Sequence, residues 1–206
     1  MNILNLYAGI GGNRKFWNDV KVTAVEINPA IAKVYQDFFP KDEIIITDAH
    51  QFLLENLNDF DLIWTSPPCT THSQIRYRIG YLKEKIDPVY PNMQLYEEII
   101  LLQYFCKNKW VVENTNGYYP PLIKPYEIHR HYFWSNFVIS KYPDLKNDIH
   151  KYGSNEERMK IKGMNIKKYD LPDKRQVLRN CVRPEIGKHI LDCARRIPQT
   201  KLKKWM

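Results

Sequence analysis

The residue best placed for chemistry is Cys69, in the run Thr65-Ser66-Pro67-Pro68-Cys69-Thr70-Thr71-His72-Ser73, directly after the apolar stretch Leu62-Ile63-Trp64. Two prolines stiffen the backbone just before the thiol. A strand end, a rigid turn and a thiol are the parts a positioned nucleophile needs. A lone cysteine is more often a small buried hydrophobe, but this one sits where a strand empties onto a rim. A second group is Glu113-Asn114, which closes the apolar run Trp110-Val111-Val112. A carboxylic acid there can hydrogen-bond a nucleobase edge and exchange a proton with it, although alone the pair would read as an ordinary strand-ending turn. His72 is set outside the active group, because a loop histidine more often has no catalytic part.

A third group is a turn, Ala8-Gly9-Ile10-Gly11-Gly12, following the apolar segment Ile3-Leu4-Asn5-Leu6-Tyr7. Its glycines let the backbone approach a ligand closely, and their spacing is not that of the dinucleotide fingerprint. Glu26 ends the next apolar run, where a carboxylate accepts from ribose hydroxyls. Asp48 ends the one after, where it can accept from an adenine amine or cap the helix that follows. In that order the three suggest a nucleoside-containing cofactor.

The elements that must hold these groups alternate. Strands are expected at 2–7, 22–26, 44–46, 62–64, 110–112 and 132–137. Helices are expected from about Arg14, over 30–39, around Phe52-Leu53-Leu54 and over 94–106. Such alternation implies an α/β fold, a doubly wound and mostly parallel sheet. Ligands bind outside the carboxyl ends of the strands in such sheets, which puts every group named above on one rim. From 141 to 174 Lys, Asn and Asp dominate and apolar periodicity fades. Apolar character returns at 176–194, as a strand or turn and then a helix.

The chain has 206 residues and a formal net charge of +8, from 31 Lys and Arg against 23 Asp and Glu. That length suits one domain with a small appendage, and the charge suits a polyanionic partner. The four cysteines, Cys69, Cys106, Cys181 and Cys193, form no CxxC pair. No zinc site, no other metal and no disulfide framework are expected. The N-terminal residues do not read as a signal peptide, and no run has the apolar length of a membrane span. A cytoplasmic protein without a membrane partner is expected.

Taken together, these segments resemble the DNA cytosine-C5 methyltransferase family. Leu6-Tyr7-Ala8-Gly9-Ile10-Gly11-Gly12 is similar to its first motif, and Glu26 and Asp48 fall where its cofactor acids are expected. Pro67-Pro68-Cys69 with Ser73 resembles its nucleophile loop, and Glu113-Asn114 its Glu-Asn-Val motif, with Thr115 in place of Val. Arg130 resembles the last arginine of its Gln-x-Arg-x-Arg motif, and Asn180-Cys181-Val182 its late Asn-x-Val segment. The resemblance covers nearly all of the chain apart from 141–174. It implies a Rossmann-like class I fold and S-adenosyl-L-methionine as cofactor, bound by Tyr7, Ala8, Gly9, Gly11, Gly12, Glu26, Ile27, Asp48, Ala49, Pro68, Asn180 and Val182. It implies Cys69, Glu113 and Arg130 as catalytic residues, Ser73 and Asn114 as substrate contacts, and duplex DNA with a flipped-out cytosine as substrate. Restriction–modification is one setting for such an activity.

The family pattern is broken in places. Thr70 stands where glutamine is common, Tyr126 and Ile128 where Gln and the first Arg belong, and Arg179 where a glycine belongs. Family members insert a large target-recognition domain where this chain has only 141–174. The division expected is therefore a cofactor-binding and catalytic core at 1–140, a basic insertion at 141–174 and a return to the core at 175–206. The insertion holds Lys141, Lys146, Lys151, Arg158, Lys160, Lys162, Lys167 and Lys168. It reads either as a solvated loop or as a reduced DNA-contacting element, with a separate recognition partner also compatible. The oligomeric state is left open. Three alternatives stay open: a tRNA cytosine-C5 methyltransferase, a degenerate nucleic-acid-binding module, and an oxidoreductase that the glycine spacing disfavours.

Overall fold

The computed structural model describes residues 1–83, 85–142 and 153–196, without the side chain of Ile79. Lys146, Lys151 and the basic tail 201–206 lie outside the described residues.

Seven strands form one sheet: β1 (Asn2–Leu6), β2 (Lys21–Val25), β3 (Glu43–Ile45), β4 (Leu62–Thr65), β5 (Lys109–Thr115), β6 (Tyr126–Ile128) and β7 (His131–Ser135). Their order is β3-β2-β1-β4-β5-β7-β6. The first five are parallel, and β7 runs antiparallel to both β5 and β6. This is a doubly wound, mostly parallel sheet of Rossmann-like type. Among the described residues six α-helices complete it: α1 (Pro29–Phe38), α2 (Ala49–Glu55), α3 (Gln94–Phe105), α4 (Asn155–Lys162), α5 (Lys174–Asn180) and α6 (Pro184–Arg195). None of the described helices is long and apolar enough to cross a membrane.

The strands are apolar on both faces because each face is covered. Ile3, Leu62, Trp64, Val111 and Phe133 pack with Ile186, Ile190 and Leu191 of α6. Their neighbours in sequence, Leu4, Ile63, Trp110, Val112 and Trp134, point the other way onto Leu53 of α2 and Leu95, Ile99 and Leu102 of α3. A period of two along each strand thus feeds two cores. Full burial of each such side chain is worth about 1.5–3 kcal/mol.

Four local outcomes differ from the sequence expectation, one of them being α5 (Lys174–Asn180), a helix capped by Asp173 where a strand or turn was expected. The helix expected from Arg14 is a single 3₁₀ turn, Asn13–Phe16. α6 takes the space beside it: a Cβ on Gly187 would lie 2.1 Å from the Asn13 carbonyl oxygen, and Trp17 Nε1 donates to Gly187 O at 3.0 Å. β6 was not foreseen; it is three residues long and joins β7 through His129-Arg130, with His129 at φ 55°.

The fourth difference is α4, inside a stretch where apolar periodicity fades. Its start is a capping box, in which Ser154 accepts from Glu157 N and Glu157 accepts from Ser154 N. Its end is Gly163 at φ 59°. Both marks, Ser-x-x-Glu and a closing glycine, were legible in the sequence. Met159, Met164, Ile166 and Leu171 join Ile10, Val34 and Leu178 in a third buried cluster, so this part of the basic stretch is built into the core.

Candidate active site

The sheet order reverses between β1 and β4, whose carboxyl ends feed diverging connections and open a crevice. The glycine turn leaves β1 and the Cys69 loop leaves β4, so they form two neighbouring lips of it.

On the first lip, Tyr7, Gly9 and Gly11 all have positive φ (53°, 55° and 80°). Gly9 N donates to Glu26 Oε2 at 3.0 Å, and Asn28 N donates to Glu26 Oε1 at 2.9 Å. One backbone bond per oxygen fixes the carboxylate and leaves each oxygen lone-pair capacity for a hydroxyl donor. Asp48 caps α2, accepting from Gln51 N through Oδ1 at 2.9 Å, with Ala49 buried as the first residue of that helix. Among the described residues nothing donates to Asp48 Oδ2. Ile27 is 64% exposed beside this lip.

The glycines divide into two uses. A Cβ on Gly9 would meet nothing within 4 Å, whereas one on Gly12 would lie 2.2 Å from Cys181 Sγ and 2.3 Å from Val182 O. Gly12 is therefore the seam with the Asn180-Cys181-Val182 segment, and Gly9 leaves open space over the turn. That space, the Glu26 carboxylate and the second Asp48 oxygen offer acceptors suited to the hydroxyl and amine donors of a nucleoside. Ala8 is buried, while Asn180 is exposed at the end of α5.

The second lip carries Cys69. Pro67 is buried and Pro68 exposed. Asn114 Nδ2 donates to Pro67 O at 2.9 Å, so the buried Asn114 tethers the loop to β5. Backbone N–H groups of His72 and Ser73 both donate to Cys69 O, at 3.0 and 3.1 Å, and close a tight turn behind the thiol. His72 Nδ1 lies 2.6 Å from Tyr119 Oη and Nε2 lies 2.8 Å from Asn92 O. Because a carbonyl only accepts, Nε2 carries the proton and Nδ1 accepts from the tyrosine. Burial holds the His72 pKa low. It pins the loop as a neutral imidazole and leaves proton transfer to other groups. Ser73 Oγ accepts from Arg76 N at 3.2 Å, and Ser73 bridges Gly117 across the loops.

Cys69 is held as a thiol. Burial first, and the Glu113 carboxylate second, push its pKa up to about 11; Arg179 acts in the opposite direction. Glu113 is 6% exposed on β5 and its Oε1 lies 2.6 Å from His131 Nδ1. The sequence did not single out His131. Arg130 lies at the β6–β7 turn, where its carbonyl accepts from Asn116 N at 3.0 Å.

The family model described as C-5 cytosine-specific DNA methylase matches residues 1–100, the stretch with the glycine turn, Glu26, Asp48 and the Cys69 loop. Through these residues the chain is similar to the cytosine-C5 methylases. The type II methyltransferase M.Bsp6I of Bacillus sp. (strain RFL6) is 33% identical over 91 residues, which make up 41% of this chain and 28% of that protein. The chain therefore spans well under a third of that relative's length. Among solved structures, a DNMT2 mutant of Spodoptera frugiperda is 28% identical, with a TM-score of 0.39 over 57% of this chain and 36% of the other. A putative DNA modification methyltransferase encoded within an E. coli prophage is 19% identical, with a TM-score of 0.43 over 84% of this chain and 56% of the other.

Two features of this site were not foreseen. Beneath the glycine turn, Glu98 of α3 is fully buried. It accepts from Tyr7 Oη and Thr65 Oγ1, both at 2.6 Å, and lies 3.0 Å from His50 Nδ1. It thereby links the ends of β1 and β4 to α2 and α3. The signal was present: Leu95, Glu98, Ile99 and Leu102 share one helical stripe, so an acid occupies a core position.

The second feature is a cationic wall. Arg158 and Lys162 of α4 are 4% and 6% exposed, and Lys162 Nζ donates to Cys181 O. Burial first, then neighbouring cations, holds both pKa values down; Arg175, Arg179 and Arg130 act on Arg158, and Arg183 and Arg130 on Lys162. Of the described cations in the basic stretch, Lys141, Lys160, Lys167 and Lys168 face solvent, while these two turn inward.

Proposed function

We propose that the protein transfers a methyl group from S-adenosylmethionine to carbon 5 of a cytosine in DNA, with Cys69 as the nucleophile. The observation that carries this reading is the convergence of Cys69 and Glu113 from β4 and β5 beside the open turn at Gly9. The match of residues 1–100 to the C-5 cytosine-specific DNA methylase model supports it.

Glu26 is placed to accept from ribose hydroxyls, Asp48 to accept from the adenine amine, and exposed Ile27 to lie against the adenine. Tyr7, Ala8 and Gly9 line the turn, Gly11 and Gly12 keep it tight, and Ala49, Pro68, Asn180 and Val182 complete the surround. When bound, the cofactor supplies an electrophilic methyl group and the positive charge of its sulfonium.

The target cytosine is reached by flipping it from the stack, because its ring is inaccessible inside a duplex. Cys69 first gives up its thiol proton to solvent, and Sγ then adds as a thiolate to ring carbon 6. Glu113 holds the base edge and delivers a proton to ring nitrogen 3, so the electron pair displaced by the addition is accommodated in the ring. Arg130 binds the base carbonyl oxygen. Carbon 5, now electron-rich, takes the methyl group. A base then removes the carbon 5 proton, the Cys69–carbon 6 bond breaks, and the thiolate leaves. Asn114 and Ser73 hold the loop against the substrate side. The solvent-facing Lys160, Lys167 and Lys168 complement DNA phosphates, and a cytoplasmic setting suits the unpaired thiol.

The test is transfer of labelled methyl from S-adenosylmethionine to mixed-sequence DNA and, in parallel, to tRNA, comparing the native protein with Cys69→Ser. Label recovered from DNA as 5-methylcytosine and absent with the variant is expected. Label only in tRNA redirects the substrate. No label in either, with cofactor bound, overturns the reading in favour of a binding module.

A further inference from the structure

The loop that follows Cys69 carries a feature the reaction above does not use. Tyr77 stacks on Tyr118 at a centroid distance of 5.0 Å and an interplanar angle of 16°. Its ring also stacks on Tyr81, at 5.9 Å and 22°. The three rings form one ladder across two separate chain segments. They are 37%, 36% and 46% exposed in the order Tyr118, Tyr77, Tyr81.

The ladder is anchored to the nucleophile loop. Tyr118 N donates to His72 O at 3.0 Å, and Ser73 bridges Gly117. A turn of π-helix, Arg76–Gly80, carries Tyr77 and leads directly into the 3₁₀ turn Tyr81–Lys83. In the same chain segment Leu82 is 59% and Tyr90 96% exposed. The same stretch, 74–90, holds Arg76, Arg78, Lys83 and Lys85 against Glu84 and Asp87.

Partly exposed, parallel aromatic rings among cations have a matching ligand. Single-stranded nucleic acid offers free base faces beside a phosphate backbone, and base–aromatic stacking tolerates any sequence. An intact duplex hides those faces and shows only base edges in its grooves. We infer that the Tyr118–Tyr77–Tyr81 ladder is a stacking platform for unpaired bases of single-stranded DNA next to the target cytosine. The protein thereby favours single-stranded or locally opened DNA over intact duplex. The inference deepens the proposed methyl-transfer reading and rests on it for the identity of the substrate.

The experiment is fluorescence anisotropy with a labelled mixed-sequence single strand and with the same strand annealed to its complement. The native protein is compared with Tyr77→Ala, Tyr81→Ala and Tyr81→Phe, each checked for folding by circular dichroism. The native protein is expected to bind the single strand more tightly than the duplex. Both alanine variants should weaken single-strand binding by about tenfold to a hundredfold with an unchanged salt slope, and Tyr81→Phe should bind as the native protein does. Equal or better duplex binding, or alanine variants that hold the single strand as well as the native protein, overturns the platform. Methyl transfer measured on the same samples separates the two readings. Tyrosine-dependent binding without any transfer removes the enzymatic reading and leaves the platform. Transfer to duplex that is indifferent to the tyrosines removes the platform and leaves the enzyme.

Discussion

His131 Nδ1 lies 2.6 Å from Glu113 Oε1 across the antiparallel pair of β7 and β5, where His131 is registered opposite Thr115. The bond orients a nearly buried carboxylate, which in the proposed reaction holds the base edge. Removing the imidazole should leave Cys69 in place but let Glu113 wander. His131→Ala is expected to lower kcat by about tenfold to a hundredfold, the scale of a misplaced catalytic group. His131→Gln, which keeps an N–H donor, should recover part of it. The check is steady-state kinetics across pH, since a merely structural loss would leave the pH profile unshifted.

The thiol of Cys69 is held near a pKa of about 11 by burial first and Glu113 second. At neutral pH only about one thiol in ten thousand is ionised at such a pKa. Alkylation by iodoacetamide, a reaction of the thiolate, should therefore be slow at neutral pH and rise as the pH climbs towards 11. Glu113→Gln removes a raising cause and should speed alkylation at fixed pH while abolishing methyl transfer. Arg179→Gln removes a lowering cause and should slow it. Saturating S-adenosylmethionine, with its sulfonium charge, should also speed it. Alkylation of Cys69 followed by peptide mass spectrometry checks all four directions.

Gly9 and Gly12 should respond differently to alanine. At Gly9 the new methyl meets open space but the backbone is at φ 55°, so a cost of about 1–2 kcal/mol in stability is expected from the left-handed conformation. The larger effect should be weaker S-adenosylmethionine binding, read by calorimetry. At Gly12 the methyl would overlap Cys181 Sγ and Val182 O. Overpacking of about 1–3 kcal/mol is expected there, visible as a lowered Tm even without cofactor.

Glu98 should give a stability slope of unusual sign. Burial raises its pKa, against the donors Thr65, Tyr7 and His50. Between the unfolded and folded values the native state binds the extra proton, so stability falls as pH rises through that window. Glu98→Gln cannot ionise and keeps an oxygen for Tyr7; its Tm should be flat over the same range. Glu98→Ala leaves buried donors without acceptors and should cost about 1–3 kcal/mol for each donor stranded. Thermal melts at a series of pH values distinguish the three proteins.

Lys162 should give the opposite slope. Burial depresses its pKa, so between the lowered folded value and the ordinary lysine range the unfolded chain binds more protons. Stability then rises with pH across that window. Lys162→Met, an apolar replacement of similar length, should remove the rise. Denaturant titrations at several alkaline pH values are the measurement.

The sequence by itself determined the α/β class, the places of the first five strands along the chain and the rim onto which they open, because apolar periodicity and turn residues are local signals. It also located Cys69, Glu113, Glu26 and Asp48, since each follows directly on an apolar run that has to be a strand. Tertiary structure decided what those residues touch. His131 reaches Glu113 only because β7 returns antiparallel beside β5. Glu98 meets Tyr7 and Thr65 only because three separate elements converge under the crevice. The basic stretch showed its charges in the sequence, but the inward turn of Arg158 and Lys162 follows from Met159 and Leu178 packing α4 against α5 in the same cluster. Which side of a charged helix is buried depends on the surface opposite it, and that surface comes from residues distant in the chain.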